Sequence, residues 1–258
     1  QSIAVMELDS WQLQGFGESK ISPKIAVFTN FLDDHLNYYH GDREAYFADK
    51  AQIFLHQKSG DTFVTAPEVF ERAEAFMKSQ GREFVQEVVL AEQSLVPDDW
   101  TVPLAGEHNR CNVALARSAL RAAGLSDEDI HAGVESFRAL PGRLEFLGEY
   151  KGVKIYNDNN ATTPDATVAA LRSLGNAKKN IVLIAGGADK GLDLAPLTAA
   201  LSQYARRVVL LAGSGTERIR TSFSEATVYD SVADAFAAAL GHAERGDIVL
   251  FSPAFASF

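Results

Sequence analysis

Residues 181–191 read Ile-Val-Leu-Ile-Ala-Gly-Gly-Ala-Asp-Lys-Gly, an apolar run followed by a glycine-rich segment. Five apolar residues, bounded by polar and glycine-rich sequence, are typical of a strand that is buried on both faces of a sheet. The glycines that follow allow a tight turn and the close approach of another backbone. The stretch therefore predicts one strand of a mainly parallel α/β sheet, followed by a turn that leads to a helix.

The same alternation of short apolar runs and helical patterns extends along the chain in both directions. In the second half, strands are predicted at Val153 to Tyr156, Ile181 to Ala185, Val208 to Ala212, Thr227 to Tyr229 and Ile248 to Phe251. In the first half, strands are predicted at Ile3 to Met6, Ile25 to Thr29 and Thr62 to Thr65, and helices at Arg43 to His56, Val69 to Ser79, Asn109 to Ala123 and Asp127 to Phe137. The fold class is therefore α/β.

The segment Leu140-Pro141-Gly142-Arg143 interrupts this pattern with a Pro-Gly pair. We therefore predict two domains, residues 1–139 and residues 140–258, of which the second is Rossmann-like. In the first helix of the second domain, Thr163 is the expected N-cap and Pro164 the first helical residue, since proline suits that position.

Composition excludes several classes of partner. The chain has 258 residues, 47% of them hydrophobic, which is enough to bury a sizeable core. A net charge of −10 disfavours nucleic acid as a partner. Cys111 is the single cysteine, so no internal disulfide is expected and a reducing, cytoplasmic location is predicted. No run of about 18 or more apolar residues occurs, so no membrane-spanning segment is predicted.

Polar residues in the first half follow two predicted strands. Glu7 follows the first, and Asn30 to His35 follows the second. Carboxylates and an imidazole at neighbouring strand ends could form a Mg²⁺ site, or they could be solvated loop residues that cap helices. Lys50 lies within a predicted helix, where a lysine is usually a solvated surface charge.

The segment Gly106 to Asn112 leads into a helix and places Asn109 and Asn112 three residues apart, on one helical face. Two side-chain amides there could bind a purine or a ribose. Alternatively, Asn109 is simply the N-cap of the helix. The spacing leaves both interpretations open.

Three turns in the second half could bind ligands. Residues 157–163 connect a strand to a helix N-terminus, which favours an anion, and Lys190 offers a positive charge in the next turn. The last predicted strand is followed by the small and hydroxylated segment Ser252 to Phe258. Each of these could also be a plain loop. The pattern Gly-x-x-x-x-Gly-Lys-Ser/Thr, which wraps ATP phosphates, does not occur in the sequence.

Taken in this order, the motifs closely resemble those of the Mur ligase family, and the resemblance covers essentially the whole chain. Residues 7–12 (Glu-Leu-Asp-Ser-Trp-Gln) are similar to the family's Glu-x-x-Ser-x-Gln segment, and Asp34-His35 to its Asp-His pair. Residues 106–112 are similar to its Gly-x-His-Asn-x-x-Asn motif. The resemblance implies an incomplete central ATPase-type domain followed by an incomplete Rossmann-like C-terminal domain.

The resemblance also implies catalytic and nucleotide-binding residues. Glu7 and His35 would bind magnesium, and Lys50 would be carbamylated to provide a further anionic metal ligand. ATP would be bound by Asn109 and Asn112 in the first domain and by Arg143 and Asp158 in the second.

The reaction implied by the resemblance joins D-glutamate to UDP-N-acetylmuramoyl-L-alanine through an acyl phosphate, in peptidoglycan precursor synthesis. The ending Ser-Pro-Ala-x-Ala-Ser points to D-glutamate, whose carboxylates would be contacted by Thr162, Lys190, Ser257 and Phe258. Asn160 stands where many family members have a lysine. A monomer is expected.

By the same resemblance, the substrate-binding amino-terminal domain and the phosphate loop would lie upstream of Gln1, so we expect the chain to be a fragment. Sister Mur ligases and folylpolyglutamate synthases share the central motifs and remain alternatives. A non-catalytic nucleotide-binding module derived from the family is the alternative from a different class.

Overall fold

The computed structural model of the chain describes residues 3–34, 38–104, 106–223 and 226–257. The chain divides into two compact units. Unit 1 comprises Gln1–Val102 and Asn109–Ser136, and unit 2 comprises Pro103–His108 and Phe137–Phe258. The domain boundary predicted between residues 139 and 140 stays a prediction.

Unit 1 contains a parallel sheet in which β1 (Ile25–Phe28), β2 (Thr62–Thr65) and β3 (Glu87–Leu90) lie in chain order. The helices of the first half are α1 (Ser10–Ser19), α2 (Arg43–Leu55), α3 (Pro67–Ser79), α4 (Glu107–Ala122) and α5 (Asp127–Ser136), with a short 3₁₀ helix at Gln93–Leu95. The predictions of β1, β2 and α2 to α5 are confirmed, with small shifts at their ends. β3 was not predicted, because neither of its faces is well buried.

Aromatic packing fixes α2 on the sheet of unit 1. Phe47, Ala51 and Phe54 recur at helical spacing and are buried on one face of α2. The ring of Phe54 lies 4.6 Å from that of Phe63 on β2, measured between centroids. Burying each phenylalanine contributes about 1.5–3 kcal/mol to folding. This face therefore determines which α2 side chains remain accessible, among them Lys50.

The strand predicted at Ile3 to Met6 is wrong. These residues form no strand, and Ile3, Val5 and Met6 are exposed. They lead instead into α1, where the Asp9 carboxylate accepts from the Gln12 N–H and the Gln12 side chain accepts from the Asp9 N–H. An apolar run with β-branched residues is not sufficient to form a strand, since a strand also needs a neighbouring strand for its backbone hydrogen bonds.

Unit 2 contains a six-stranded sheet with the strand order β4-β5-β9-β6-β7-β8. The strands are β4 (Glu145–Tyr150), β5 (Val153–Asn157), β6 (Ile181–Ala185), β7 (Ala205–Leu211), β8 (Val228–Tyr229) and β9 (Ile248–Phe251). The helices are α6 (Pro164–Leu174), α7 (Ala195–Tyr204), α8 (Ser214–Arg220) and α9 (Val232–His242). Only β4 pairs antiparallel. The five predicted strands of this half are confirmed, and so are the Thr163 N-cap and Pro164 at the helix start.

The strand order determines which turns of unit 2 lie together. β9 pairs with β5 on one side and with β6 on the other, and all three run parallel. Their carboxyl ends therefore meet at one edge, which brings the turns at residues 157–163, 186–191 and 252–257 next to one another. Ligands in open parallel sheets bind at such an edge, where the strand order switches.

Among the helices of the described residues, none is both long enough and apolar enough to span a membrane.

Candidate functional site

Lys50 lies in the second half of α2, half-buried, with its Nζ 5.2 Å from the centroid of the Tyr46 ring. Burial lowers the pKa of the Lys50 ammonium, and the carboxylates of Asp34 and Asp9 offset part of that effect. Lys50 is therefore not the fully solvated surface lysine of the alternative interpretation. The sequence analysis did not single out Tyr46, although its position one helical turn before Lys50 indicates contact.

A hydrogen-bonded cluster stabilises α2 beside Lys50. The carboxylate of Asp49 accepts from Gln14 Nε2 at 2.7 Å and from Tyr39 Oη at 2.9 Å. Burial, followed by smaller effects that include Asp49, raises the pKa of Tyr39 to about 12. Burial also raises the pKa of Tyr46, with Asp34 adding to the effect. Both phenols are therefore neutral at physiological pH and act as hydrogen-bond donors or ring surfaces.

The residues predicted to bind magnesium are not brought together in the part of the chain that the structure describes. Glu7 is exposed in the irregular segment before α1, and His35 lies outside the described residues. Asp33 pairs with Arg43 at 2.6 Å. Within residues 3–34, 38–104, 106–223 and 226–257, no three His, Cys, Asp or Glu side chains are grouped closely enough to hold a metal ion. The described residues do not fit a metal site by themselves.

Asn109 lies in the first turn of α4, which begins at Glu107. The alternative that Asn109 is the N-cap of this helix is therefore wrong. The Asn112 Nδ2 atom donates to Asn109 Oδ1 at 3.4 Å, so the two amides do share one face. Asn112 is exposed and Asn109 is half-buried, which leaves amide atoms accessible to a ligand.

Asp158 follows β5 and is only 6% exposed. Its Oδ1 accepts from the Leu144 N–H at 3.0 Å, and its Oδ2 accepts from the Ser252 hydroxyl at 2.9 Å. Ser252 Oγ also lies 2.9 Å from the buried Thr167 hydroxyl. Burial raises the pKa of Asp158, although the Leu144 and Ser252 hydrogen bonds and Arg143 oppose the shift. This carboxylate links β5, β9 and α6 and supports the turn that carries Arg143.

The turn at Pro141 and Gly142 is bound to the loop after β5. Asn160 donates from its backbone N–H to Gly142 O at 3.1 Å and from Nδ2 to Pro141 O at 3.0 Å. Gly142 has a φ of +74°, and a Cβ there would lie 1.9 Å from Asn159 Oδ1. The positive φ therefore favours glycine at this turn. It presents the Arg143 side chain, which is exposed, beside Asp158.

Two residues predicted to bind the amino-acid substrate meet at the carboxyl edge of the unit 2 sheet. Lys190 Nζ donates to Thr162 Oγ1 at 3.5 Å, and both side chains are half-buried. An ammonium group and a hydroxyl at this distance can together bind a carboxylate.

The segment after β9 lies against the same turn. Ala256 and Ala188 exchange two backbone hydrogen bonds of 3.1 and 2.9 Å. A Cβ at Gly187 would lie 2.3 Å from Ala256 O, so only glycine allows the two backbones this close. Ser257 is exposed at the end of the segment, and Phe258 lies outside the described residues.

Comparison with known families decides the classification. Residues 1–120 match the Mur ligase middle domain, and residues 142–255 match the domain described as "Mur ligase, glutamate ligase domain". The chain belongs to the Mur ligase family. Its α/β fold, with a middle-domain sheet followed by a mainly parallel C-terminal sheet, is that of the family.

Two curated relatives of this Mur ligase chain differ in the amino acid named. The UDP-N-acetylmuramoylalanine–D-glutamate ligase of Roseiflexus sp. (strain RS-1) is 34% identical over 287 aligned residues, covering 98% of this chain and 61% of the relative. The UDP-N-acetylmuramoyl-L-alanine–L-glutamate ligase of Xanthomonas axonopodis pv. citri (strain 306) is 32% identical, covering 98% and 57%. The chain therefore spans about 60% of the length of these relatives.

Among solved structures, the MurF ligase from Thermotoga maritima in complex with ADP has a TM-score of 0.70 and 18% identity. The match covers 95% of this chain and 61% of the MurF chain. At that identity the likeness concerns the fold alone. In the Mur ligase chain described here, Asn160 holds the Arg143 turn through its hydrogen bond to Pro141 O.

Proposed function

We propose that the full-length protein is an ATP-dependent amide ligase that joins D-glutamate to UDP-N-acetylmuramoyl-L-alanine in peptidoglycan precursor synthesis. The observation that carries this proposal is the similarity, over 98% of the chain, to a relative named for that D-glutamate ligation. Membership of the Mur ligase family and the carboxylate-binding chemistry at the edge of unit 2 support it.

ATP is the proposed nucleotide. Asn109 and Asn112 are proposed to face the adenine, and Arg143 and Asp158 are proposed as the nucleotide-binding residues of unit 2. The MurF ligase from Thermotoga maritima was solved in complex with ADP, which supports a nucleotide ligand for this fold. Because both oxygens of Asp158 already accept hydrogen bonds within unit 2, its proposed contribution is to keep the Arg143 turn in place.

The proposed amino-acid site consists of Thr162, Lys190, Ser257 and Phe258. Glutamate carries two carboxylates, so its site needs more than one anchor, and the Lys190–Thr162 pair supplies the first. The exposed hydroxyl of Ser257, in a segment hydrogen-bonded to Ala188 beside Lys190, is a second donor in the proposed site. Asn160 brings no positive charge, which leaves Lys190 as the proposed main electrostatic anchor.

Lys50 is proposed to be carbamylated. Only a neutral amine reacts with carbon dioxide, forming an N–C bond and releasing one proton, and burial of Lys50 favours the neutral amine. Modification converts a cation into an anion beside the Tyr46 ring. A magnesium ion bound with Glu7 and His35 stays a prediction, because the described residues do not form its site.

In the proposed chemistry, the main contribution of the protein is to position the reacting groups of the substrates. The substrate carboxylate attacks the γ-phosphorus of ATP to give an acyl phosphate and ADP. The glutamate amine then attacks the acyl carbon, phosphate leaves, and the amine proton passes to solvent or phosphate. Binding glutamate by its carboxylates leaves its amine free for this attack, and correct alignment of amine and acyl carbon supplies much of the rate.

The second candidate is ligation of L-glutamate, which is favoured by the Xanthomonas axonopodis relative at nearly the same identity. Ammonium and hydroxyl groups bind a carboxylate in either enantiomer, so the Lys190–Thr162 pair does not discriminate between them. Sister Mur ligases and folylpolyglutamate synthases share the fold and differ in the amino acid or acceptor used.

The test is phosphate release by the full-length protein with ATP, Mg²⁺ and UDP-N-acetylmuramoyl-L-alanine. D-glutamate, L-glutamate, meso-diaminopimelate and L-lysine are compared at equal concentration. Release that depends on D-glutamate is the expected result, and release that depends on L-glutamate would favour the second candidate. The absence of release with all four would reject the ligase proposal in favour of a non-catalytic nucleotide-binding module.

A further inference from the structure

The turn after β6 that carries Lys190 is fixed from within. The Gly191 N–H donates to Asp189 Oδ1 at 2.9 Å, which closes the backbone around Lys190. The Asp189 N–H donates to Ser214 Oγ at 3.0 Å, at the start of α8. The backbone on both sides of Lys190 is therefore hydrogen-bonded before any substrate arrives.

Arg218, on α8, binds this turn at two points. Its Nη1 lies 2.6 Å from Asp189 Oδ1, and its Nη2 donates to Leu192 O at 2.9 Å. These two acceptors flank Lys190 in the sequence. Partial burial would raise the pKa of Asp189, but the Gly191 and Arg218 hydrogen bonds outweigh it and lower the pKa. Asp189 is thus a carboxylate at neutral pH and keeps its pairing with the guanidinium.

We propose that Arg218 is a positioning residue that braces residues 189–192 and so holds the Lys190 ammonium at the amino-acid site. Arg218 acts through Lys190 and does not touch the substrate. The inference rests on the proposed function, because it assigns Lys190 and Thr162 to the amino-acid carboxylate. It assigns the positioning of Lys190 to a residue on α8, which is separated from the turn by α7 and β7 in the sequence.

The physical reason is the flexibility of lysine. Its four-carbon side chain loses conformational entropy when it is held at one place, and a mobile backbone would add to that loss. A guanidinium can donate from two nitrogens in a fixed plane, which an ammonium cannot do. The contacts of Arg218 with Asp189 and Leu192 therefore reduce the conformational entropy that Lys190 loses when the substrate binds. Removing these contacts should weaken the binding of glutamate specifically.

The ordinary alternative is that Arg218 forms only a surface ion pair, since 39% of its side chain and 29% of that of Asp189 are exposed. Such pairs usually contribute little to stability. Under that alternative, removing Arg218 would leave the KM for glutamate unchanged. The two interpretations differ in a measurable quantity.

The experiment compares Arg218→Ala, Arg218→Lys and Asp189→Asn in the full-length protein, with Arg220→Ala as the control on the same helix. Arg220 is exposed, and within the described part of the chain its guanidinium lies 3.9 Å from the Glu217 carboxylate. Arg218→Ala should raise the KM for glutamate about 10-fold and leave the KM for ATP within about twofold. Arg218→Lys should give an intermediate KM, because one ammonium cannot bind both acceptors.

A double variant tests whether Arg218 and Asp189 act on Lys190 through the same interaction. Arg218→Ala combined with Asp189→Asn should raise the KM for glutamate no further than Arg218→Ala alone. Additive effects would contradict the brace, and so would equal increases of both KM values in Arg218→Ala. If Arg218→Ala melts at a lower temperature than wild type, the KM of Arg218→Lys for glutamate serves as the test instead.

Amide hydrogen exchange separates this inference from the proposed function. The Gly191 amide should exchange faster in Arg218→Ala than in Arg220→Ala, and equal rates would overturn the brace. If the wild-type protein releases no phosphate with either glutamate enantiomer, the proposed function fails. The exchange result then decides alone whether Arg218 orders the turn.

Discussion

Lys50 and Lys190 have the same side chain in two different environments. Lys50 is half-buried on a helix beside an aromatic ring, and burial lowers the pKa of its ammonium. Lys190 lies in a turn and donates to the Thr162 hydroxyl. A lysine whose neutral form is favoured suits covalent modification, whereas an ammonium next to a hydroxyl suits a carboxylate ligand. Replacing Lys50 and replacing Lys190 are therefore expected to change different kinetic parameters.

Replacing Lys50 by alanine should abolish ligation, with a loss of kcat on the order of 10³-fold or more, because a charged group is removed from the proposed reacting centre. Added bicarbonate should not restore activity, since alanine has no amine to modify. Phosphate release with D-glutamate measures this. Lys58→Ala, at an exposed position just after α2, is the control and should keep wild-type activity. Near-normal activity of Lys50→Ala would remove Lys50 from the mechanism.

Replacing Lys190 by alanine should raise the KM for D-glutamate about 10- to 100-fold and that for ATP by much less, since a charge-assisted contact to one substrate is lost. Steady-state kinetics with each substrate varied in turn measures the two values. Lys151→Ala, at an exposed turn of unit 2, is the matched control. A larger rise for ATP would mean that the amino-acid site is elsewhere.

Sequence motifs predicted candidate site residues but few of the contacts that those residues make. The spacing of Asn109 and Asn112 predicted a shared helical face, and the hydrogen bond between them confirms it. No local pattern could indicate that Arg218 would meet Asp189, because the pair depends on how α8 packs after β7. The roles of Asn109, Asn112, Lys190 and the other site residues stay predictions.

At the scale of elements, the ends of helices depend on short polar patterns. The capping box of α1, formed by Asp9 and Gln12, satisfies two backbone donors at the helix start. Asp9→Ala should destabilise α1 by about 1 kcal/mol. Amide exchange across α1 measures this, with Glu18→Ala at the other end of the helix as the control. Equal exchange in both variants would show that packing alone determines where the helix begins.

Two of the elements that were misjudged from the sequence, the segment from Ile3 to Met6 and β4, have related causes. The apolar residues Ile3, Val5 and Met6 suggested a strand, but the backbone there pairs with no neighbouring strand. β4 was not predicted because Phe146, Leu147 and Tyr150 are exposed on an edge strand and follow no simple alternation. In contrast, the fully buried β6 was predicted without error, because continuous burial leaves an uninterrupted apolar run. Edge strands depend on tertiary pairing that a local pattern does not encode.

At the scale of the whole molecule, Asp158 couples stability to pH. Its pKa is raised in the folded chain, so its contribution to stability is fully present below its unfolded-state pKa and is lost as pH rises through the folded-state value. Asp158→Asn removes this dependence while keeping the shape of the side chain. The variant should melt a few degrees higher than wild type at pH 7, by roughly 2–4 °C, with a difference that shrinks towards about pH 4.

Thermal unfolding at several pH values measures that difference. Asp230→Asn, at an exposed position before α9, is the control and should follow wild type throughout. A melting temperature of Asp158→Asn below wild type at pH 7 would mean that the hydrogen bonds to Leu144 and Ser252 need a charged acceptor.

The full-length protein is proposed to make an amide through an acyl phosphate. The most direct measurement uses UDP-N-acetylmuramoyl-L-alanine whose carboxyl oxygens are both a heavy isotope, with ATP and D-glutamate, and analyses phosphate and product by mass spectrometry. We expect heavy oxygen in the released phosphate and in the new amide, because the bridging oxygen leaves with phosphorus. Unlabelled phosphate, with no glutamate joined to the substrate, would rule out the acyl phosphate route.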